Sequence, residues 1–160
     1  MNRFVSVRWF AILTVCSAFA AAPVQAQVVP HKERTAGTVD VSEMESTTTA
    51  VQAWTAKGNA THMGKYSQVG SHKVNLSTGE ILDGVFTSTA ADGSTVSGIF
   101  YGTFALNGDG SADYSVTAIW LSGTGRFEGL TGIADVAAHA TGVTAGSTFR
   151  FVTDGVWNLP

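Results

Sequence analysis

The chain has 160 residues, a formal charge of −3, 18 glycines, one cysteine and only 13% charged residues. A single cysteine excludes disulfide scaffolds, zinc ribbons and cysteine-ligated clusters. The acidic balance argues against a nucleic-acid partner, and 44% hydrophobic residues exclude a disordered polar chain.

Residues 1–26 read as a secretory signal peptide. Arg3 and Arg8 supply the positive start, Trp9 to Ala22 is an apolar run interrupted by Thr14, Cys16 and Ser17, and Val24-Gln25-Ala26 offers small residues for cleavage. The run is shorter than the roughly 20 residues of a spanning helix, so no membrane span is expected after cleavage. The expected mature chain starts at Gln27, has no cysteine, and carries seven basic against twelve acidic residues. Export to a bacterial periplasm or to the medium follows from this reading.

Gln27 to Glu45 contains Pro30 and the charge cluster His31-Lys32-Glu33-Arg34, with few large apolar residues. It reads as a flexible lead-in, which places the folded domain at 46–160. From Ser46 onward the composition shifts to Thr, Val, Gly and aromatics. No long 3.6-residue apolar stripe appears. Short runs instead recur with turn signals about every 10 residues, the pattern of a sandwich or barrel. The turns are Ser77-Thr78-Gly79, Ala91-Asp92-Gly93, Asn107-Gly108-Asp109-Gly110 and Thr144-Ala145-Gly146.

Strands are predicted at Thr47 to Ala56, His62 to Leu76, Glu80 to Ala90, Ser94 to Leu106, Ser111 to Ser122, Ile133 to Thr141 and Ser147 to Trp157. An eighth strand arises if Gly70 splits the second run. Period-two alternation puts Val96, Phe100, Phe104 and Leu106 on one face of one strand, and Tyr114, Val116, Ala118 and Trp120 on one face of the next. In the last strand it sets Phe149, Phe151 and Trp157 against Arg150, Val152 and Asp154. Gly84, Gly98 and Gly102, inside strands, predict bends or places where an aromatic side chain crosses the backbone. The fold class predicted is all-β: one antiparallel barrel of eight strands.

Gly123-Thr124-Gly125-Arg126-Phe127-Glu128-Gly129-Leu130-Thr131-Gly132 stands apart. It lacks the Gly-Lys-Ser/Thr that opens the helix of a phosphate-binding loop. The segment predicts one helical turn between two strands, with Phe127 and Leu130 plugging a barrel end.

The Gly-Thr-Gly-Arg-Phe part of this motif, with strands before and after it, resembles the Gly-Thr-Gly-x-Phe segment of the allene oxide cyclase and dirigent barrel proteins. Together with Thr61-His62-Met63-Gly64 and Asp92-Gly93, it also resembles small exported bacterial proteins of unknown role. The resemblance implies an eight-stranded antiparallel barrel with a central cavity. Members of the family cyclise an unstable fatty-acid epoxide or steer radical coupling. Where dirigent proteins often carry an acidic residue or Lys before the Phe, this chain has Arg126. The acidic and basic residues credited with chemistry in those relatives find no matching positions here.

Candidate ligand-binding residues are the aromatics Trp54, Tyr101, Tyr114 and Trp120 and the polar Arg126, Asp135, His139 and Arg150. The aromatics suit either a cavity lining or a packed core. The charged residues suit either the lumen, where a carboxylate turns into a general acid or base, or a solvated outer wall. Asp135 and His139 are about 13 Å apart on a single strand and do not share a metal. No metal site and no cofactor are called for. No Ser-His-Asp or Cys-His set is indicated, so catalytic residues are unassigned.

Three uses remain open for such a barrel. It binds a small hydrophobic ligand in its lumen, it is an isomerase or cyclase acting on a hydrophobic substrate, or it is a non-catalytic homo-oligomeric envelope protein. A filled lumen argues against the first two. An open lumen with ionisable groups within about 5 Å of each other favours the enzyme.

Overall fold

The computed structural model describes residues 26–160; the expected signal peptide lies almost wholly outside them. Eight strands form one closed barrel, each paired with its neighbours in chain order and the last with the first. They are β1 (Gln27–Met44), β2 (Thr49–Ala60), β3 (Gly64–Asn75), β4 (Glu80–Ala90), β5 (Thr95–Leu106), β6 (Ala112–Gly123), β7 (Thr131–Ala140) and β8 (Thr148–Leu159). All neighbouring pairs are antiparallel. Among the described residues no helix is long and apolar enough to cross a membrane.

The seven strands predicted from the sequence correspond to β2–β8, and Gly70 does not split its strand. The eighth strand is the segment read as a flexible lead-in. Residues 27–44 form the longest strand of the barrel and hold it shut by pairing with both β2 and β8. Its alternation is present but written in polar residues. Val29, His31, Glu33 and Thr35 point inward and are buried, while Lys32 and Arg34 point outward. A search for apolar residues at every second position passes over such a strand.

Elsewhere the inward faces match the alternation. Val96 and Phe104 of β5, Ala118 and Trp120 of β6, and Trp157 of β8 are buried. Leu106, at the end of β5, is exposed instead. Glycines inside strands mark crossings by aromatic rings: a Cβ on Gly70 would run into the Trp54 indole, and one on Gly98 would meet Phe86 at 2.8 Å.

One barrel end is closed by the glycine-rich motif. Residues 125–127 form a single 3-10 turn. Phe127 and Leu130 are buried beneath it with Met63 and Trp157, and the Phe127 ring meets Trp157 edge-on at 5.6 Å. A second cluster of Ala50, Val74, Ile81, Phe104 and Ala112 packs towards the opposite end. On the outer wall, Val85, Ile99, Ile119, Ile133 and Val156 stand in register across β4–β8. All but the half-buried Ile119 are exposed.

Candidate functional site: the barrel lumen

A cavity of about 100 Å³ lies in the lumen between the two packed clusters. Its two sides differ. From β5–β8 it is lined by Phe100, Tyr114, Val116, Val136, Phe149 and Phe151, all half-buried inward residues that border open space. From β1–β3 it is lined by the polar Glu33, Gln52, Gln68 and His72, each buried. Trp54, Phe86 and Trp120 complete the wall.

Glu33 is the focus of the polar side. Thr153 Oγ1 donates to one carboxylate oxygen at 2.8 Å, and Tyr66 Oη donates to the other at 2.9 Å. Tyr66 also hydrogen-bonds Thr35 Oγ1. Burial first, and the negative Glu33 beside it second, push the Tyr66 phenol well above its ordinary value, so it stays a donor. His31 Nε2 sits 3.7 Å from Glu33 Oε2. Its ring is stacked on Trp157 at 3.9 Å and meets the edge of Trp120 at 4.8 Å.

Further along the lumen, Gln52 and His72 face each other across β2 and β3 in direct register. Gln52 Nε2 donates to the Val143 carbonyl at 2.6 Å, which fixes the amide's orientation. Gln52 Oε1 and both His72 ring nitrogens are buried without a protein partner. His72 rests against Phe100 at 5.4 Å and Tyr114 at 6.4 Å. Burial pushes its imidazole down to about 4, so it is neutral at physiological pH. The Tyr114 phenol is pushed up to about 12 by burial.

Three of the candidates read from sequence, Trp54, Tyr114 and Trp120, meet in this cavity. The other five do not line it. Tyr101, Asp135, His139 and Arg150 are on the outer wall, where His139 stands opposite Arg150 in register and pairs with Asp113 at 2.7 Å. Arg126 is at the closed end. There its guanidinium donates to the Met63 carbonyl at 3.0 Å, pairs with Asp92 at 3.1 Å and lies over the Phe127 ring at 4.6 Å. It ties together the β2–β3 turn, the β4–β5 turn and the 3-10 turn.

Glu33, Tyr66, His31, Gln52, Gln68 and His72 were absent from the sequence-derived candidates. The signal that would have found Gln52 and His72 is parity. Gln52 shares a face with Trp54, and His72 shares one with Val74, whose side chain is fully buried.

Comparison of the chain with protein-family models, curated proteins and solved structures finds no match. Among the described residues no three His, Cys, Asp or Glu side chains gather into a metal-binding group. The lumen combines an aromatic wall, a carboxylate held by two hydroxyls, and unsatisfied hydrogen-bonding atoms beside open space. An apolar cavity with a few convergent polar groups is the usual form of a small-molecule site.

Proposed function

We propose that this chain is an exported barrel of the allene oxide cyclase and dirigent type whose lumen binds a small, largely apolar molecule. The observation that carries the reading is the aromatic-walled cavity of about 100 Å³ between two packed ends. A cavity of about 150 Å³ accepts benzene, so the lumen as it stands suits a compact or slender ligand. Native mass spectrometry of protein purified from its own host tests this, together with thermal shifts against short-chain hydrophobic compounds. A retained small molecule or a ligand-dependent rise in Tm is expected. A bare protein that responds to none of them removes the reading.

A second reading, an isomerase or cyclase, is favoured by one arrangement. The Glu33 carboxylate borders the cavity and accepts a hydrogen bond from Tyr66 at 2.9 Å, within the reach of proton transfer, while His31 Nε2 lies outside that reach at 3.7 Å. Turnover of a hydrophobic substrate that is lost in Glu33→Gln while ligand binding persists would establish it. The outer row of Val85, Ile99, Ile133 and Val156 supports self-association of the barrel through this wall, which sedimentation velocity of the wild type and Ile133→Lys decides.

A further inference from the structure

Charge within the lumen is one-sided. Glu33 is the one acidic residue lining the cavity, and no Lys or Arg lines it. Its two hydrogen-bond donors, the hydroxyls of Tyr66 and Thr153, are neutral. The remaining nitrogen-bearing neighbour, His31, is stacked on Trp157 with the edge of Trp120 beside it; its Nε2 is 3.7 Å from Glu33 Oε2 and makes no hydrogen bond to it, and the ring does not border the cavity. Buried carboxylates are ordinarily paired with a cation, because an isolated ion loses its hydration. Each carboxylate oxygen holds a further lone pair beyond the one occupied here.

The rest of the wall is suited to the same partner. Gln68, which lines the cavity, has a buried side-chain oxygen with no protein partner. Phe86, Phe100, Trp120 and Phe151 also line it, and aromatic faces attract ammonium groups through their quadrupole. A carboxylate-headed ligand would instead bring a second negative charge into the same lumen as Glu33, with no Lys or Arg in the lining to meet it, which costs more the drier the site.

We infer that the lumen takes a primary amine with an apolar tail, its ammonium against the Glu33 carboxylate and its tail along the aromatic wall of β5–β8, an inference that rests on the lumen being a binding site. The amine donates up to three hydrogen bonds, of which Glu33 accepts the first; the unpartnered Gln68 carbonyl oxygen is a further acceptor in the same lining. The tail replaces water against Phe100, Tyr114 and Phe149. Discrimination between amines and acids then follows from one residue, and the tail's length is limited by the small volume.

Three probes with one tail and different heads test this: n-hexylamine, 1-hexanol and hexanoate, titrated by calorimetry and by NMR into the mature chain at neutral pH. Hexylamine is expected to bind at least ten-fold more tightly than hexanol, with hexanoate weakest, and Glu33→Gln is expected to bring hexylamine to the level of hexanol. A hexylamine preference that survives Glu33→Gln overturns the inference, as does hexanoate binding as tightly as hexylamine. Hexanol bound with no preference for hexylamine overturns the inference while the lumen remains a binding site. No binding of any probe overturns both. If Glu33→Gln does not fold, wild-type cross-peaks decide. Contacts between the hexylamine methylene next to nitrogen and the Phe86 or Trp120 rings support the inference, and contacts confined to outer-wall residues overturn it.

Discussion

Tyr66 of β3 reaches over β2 to donate a hydrogen bond to Glu33 of β1 at 2.9 Å, and it does so across Gly58. A Cβ at Gly58 would sit 2.6 Å from Thr35 Oγ1 and 2.8 Å from the Tyr66 ring. The glycine is thus the gap through which two non-adjacent strands are joined by a buried polar network.

Gly58→Ala therefore is expected to displace Tyr66 or Thr35. Overpacking costs about 1–3 kcal/mol, and loss of the hydrogen bonds to a charged group adds to it. Urea denaturation should show the loss. In a Tyr66→Ala background the same substitution should cost clearly less, because the ring no longer occupies the gap; an equal cost in both backgrounds would place the strain elsewhere.

Tyr66→Phe keeps the ring over Gly58 and deletes only the hydroxyl. Glu33 Oε2 is left without its donor inside the barrel, and a hydrogen bond to a charged group contributes about 1.5–3 kcal/mol. A stability loss in that range is expected in denaturant unfolding, with an unchanged circular dichroism spectrum.

His72 makes stability depend on acid. Its folded-state value of about 4 lies below its ordinary 6.5 because burial disfavours the charged ring. The unfolded chain therefore binds more protons between these values, and stability falls as pH drops from about 6.5 towards 4. The difference corresponds to about 3 kcal/mol at most. Unfolding free energies measured at pH 7 and pH 4 should differ less in His72→Leu than in the wild type; an equal pH dependence would exclude this residue as its source.

A chain beginning at Ser46 contains β2–β8 but no β1. It exposes the edges of both β2 and β8, which β1 pairs along most of its length, and removes His31, Glu33 and Thr35 from the interior. Such a truncation is expected to lose dispersed NMR signals, whereas one beginning at Gln27 keeps them. A well-folded chain from Ser46 would mean that the barrel closes without β1.

Much of the architecture was legible because strands with one buried face repeat at period two. In β5, β6 and β8 that face is aromatic and aliphatic, and the alternation reads directly from Val96, Trp120 and Phe151. The hairpin glycines were equally plain; Gly93, for example, has φ +85°, a conformation other residues rarely adopt. β1 was not legible, because His31, Glu33 and Thr35 are residues that ordinarily face water. Their burial depends on Tyr66, Thr153 and Trp157, which are 31 or more positions away.

The candidate site divides in the same way. Trp54, Tyr114 and Trp120 combine large apolar surface with an inward parity and were named from sequence. Asp135, His139 and Arg150 have the opposite parity, and the barrel turns them to the outer wall. Local sequence determined the strand period, the turn positions and the glycine-rich plug. Only closure of the barrel decided which polar residues are enclosed. A side chain's exposure on a strand is set by what covers that face, and here the covering strands come from the other end of the chain: β8 pairs with β1 and brings Thr153 to Glu33.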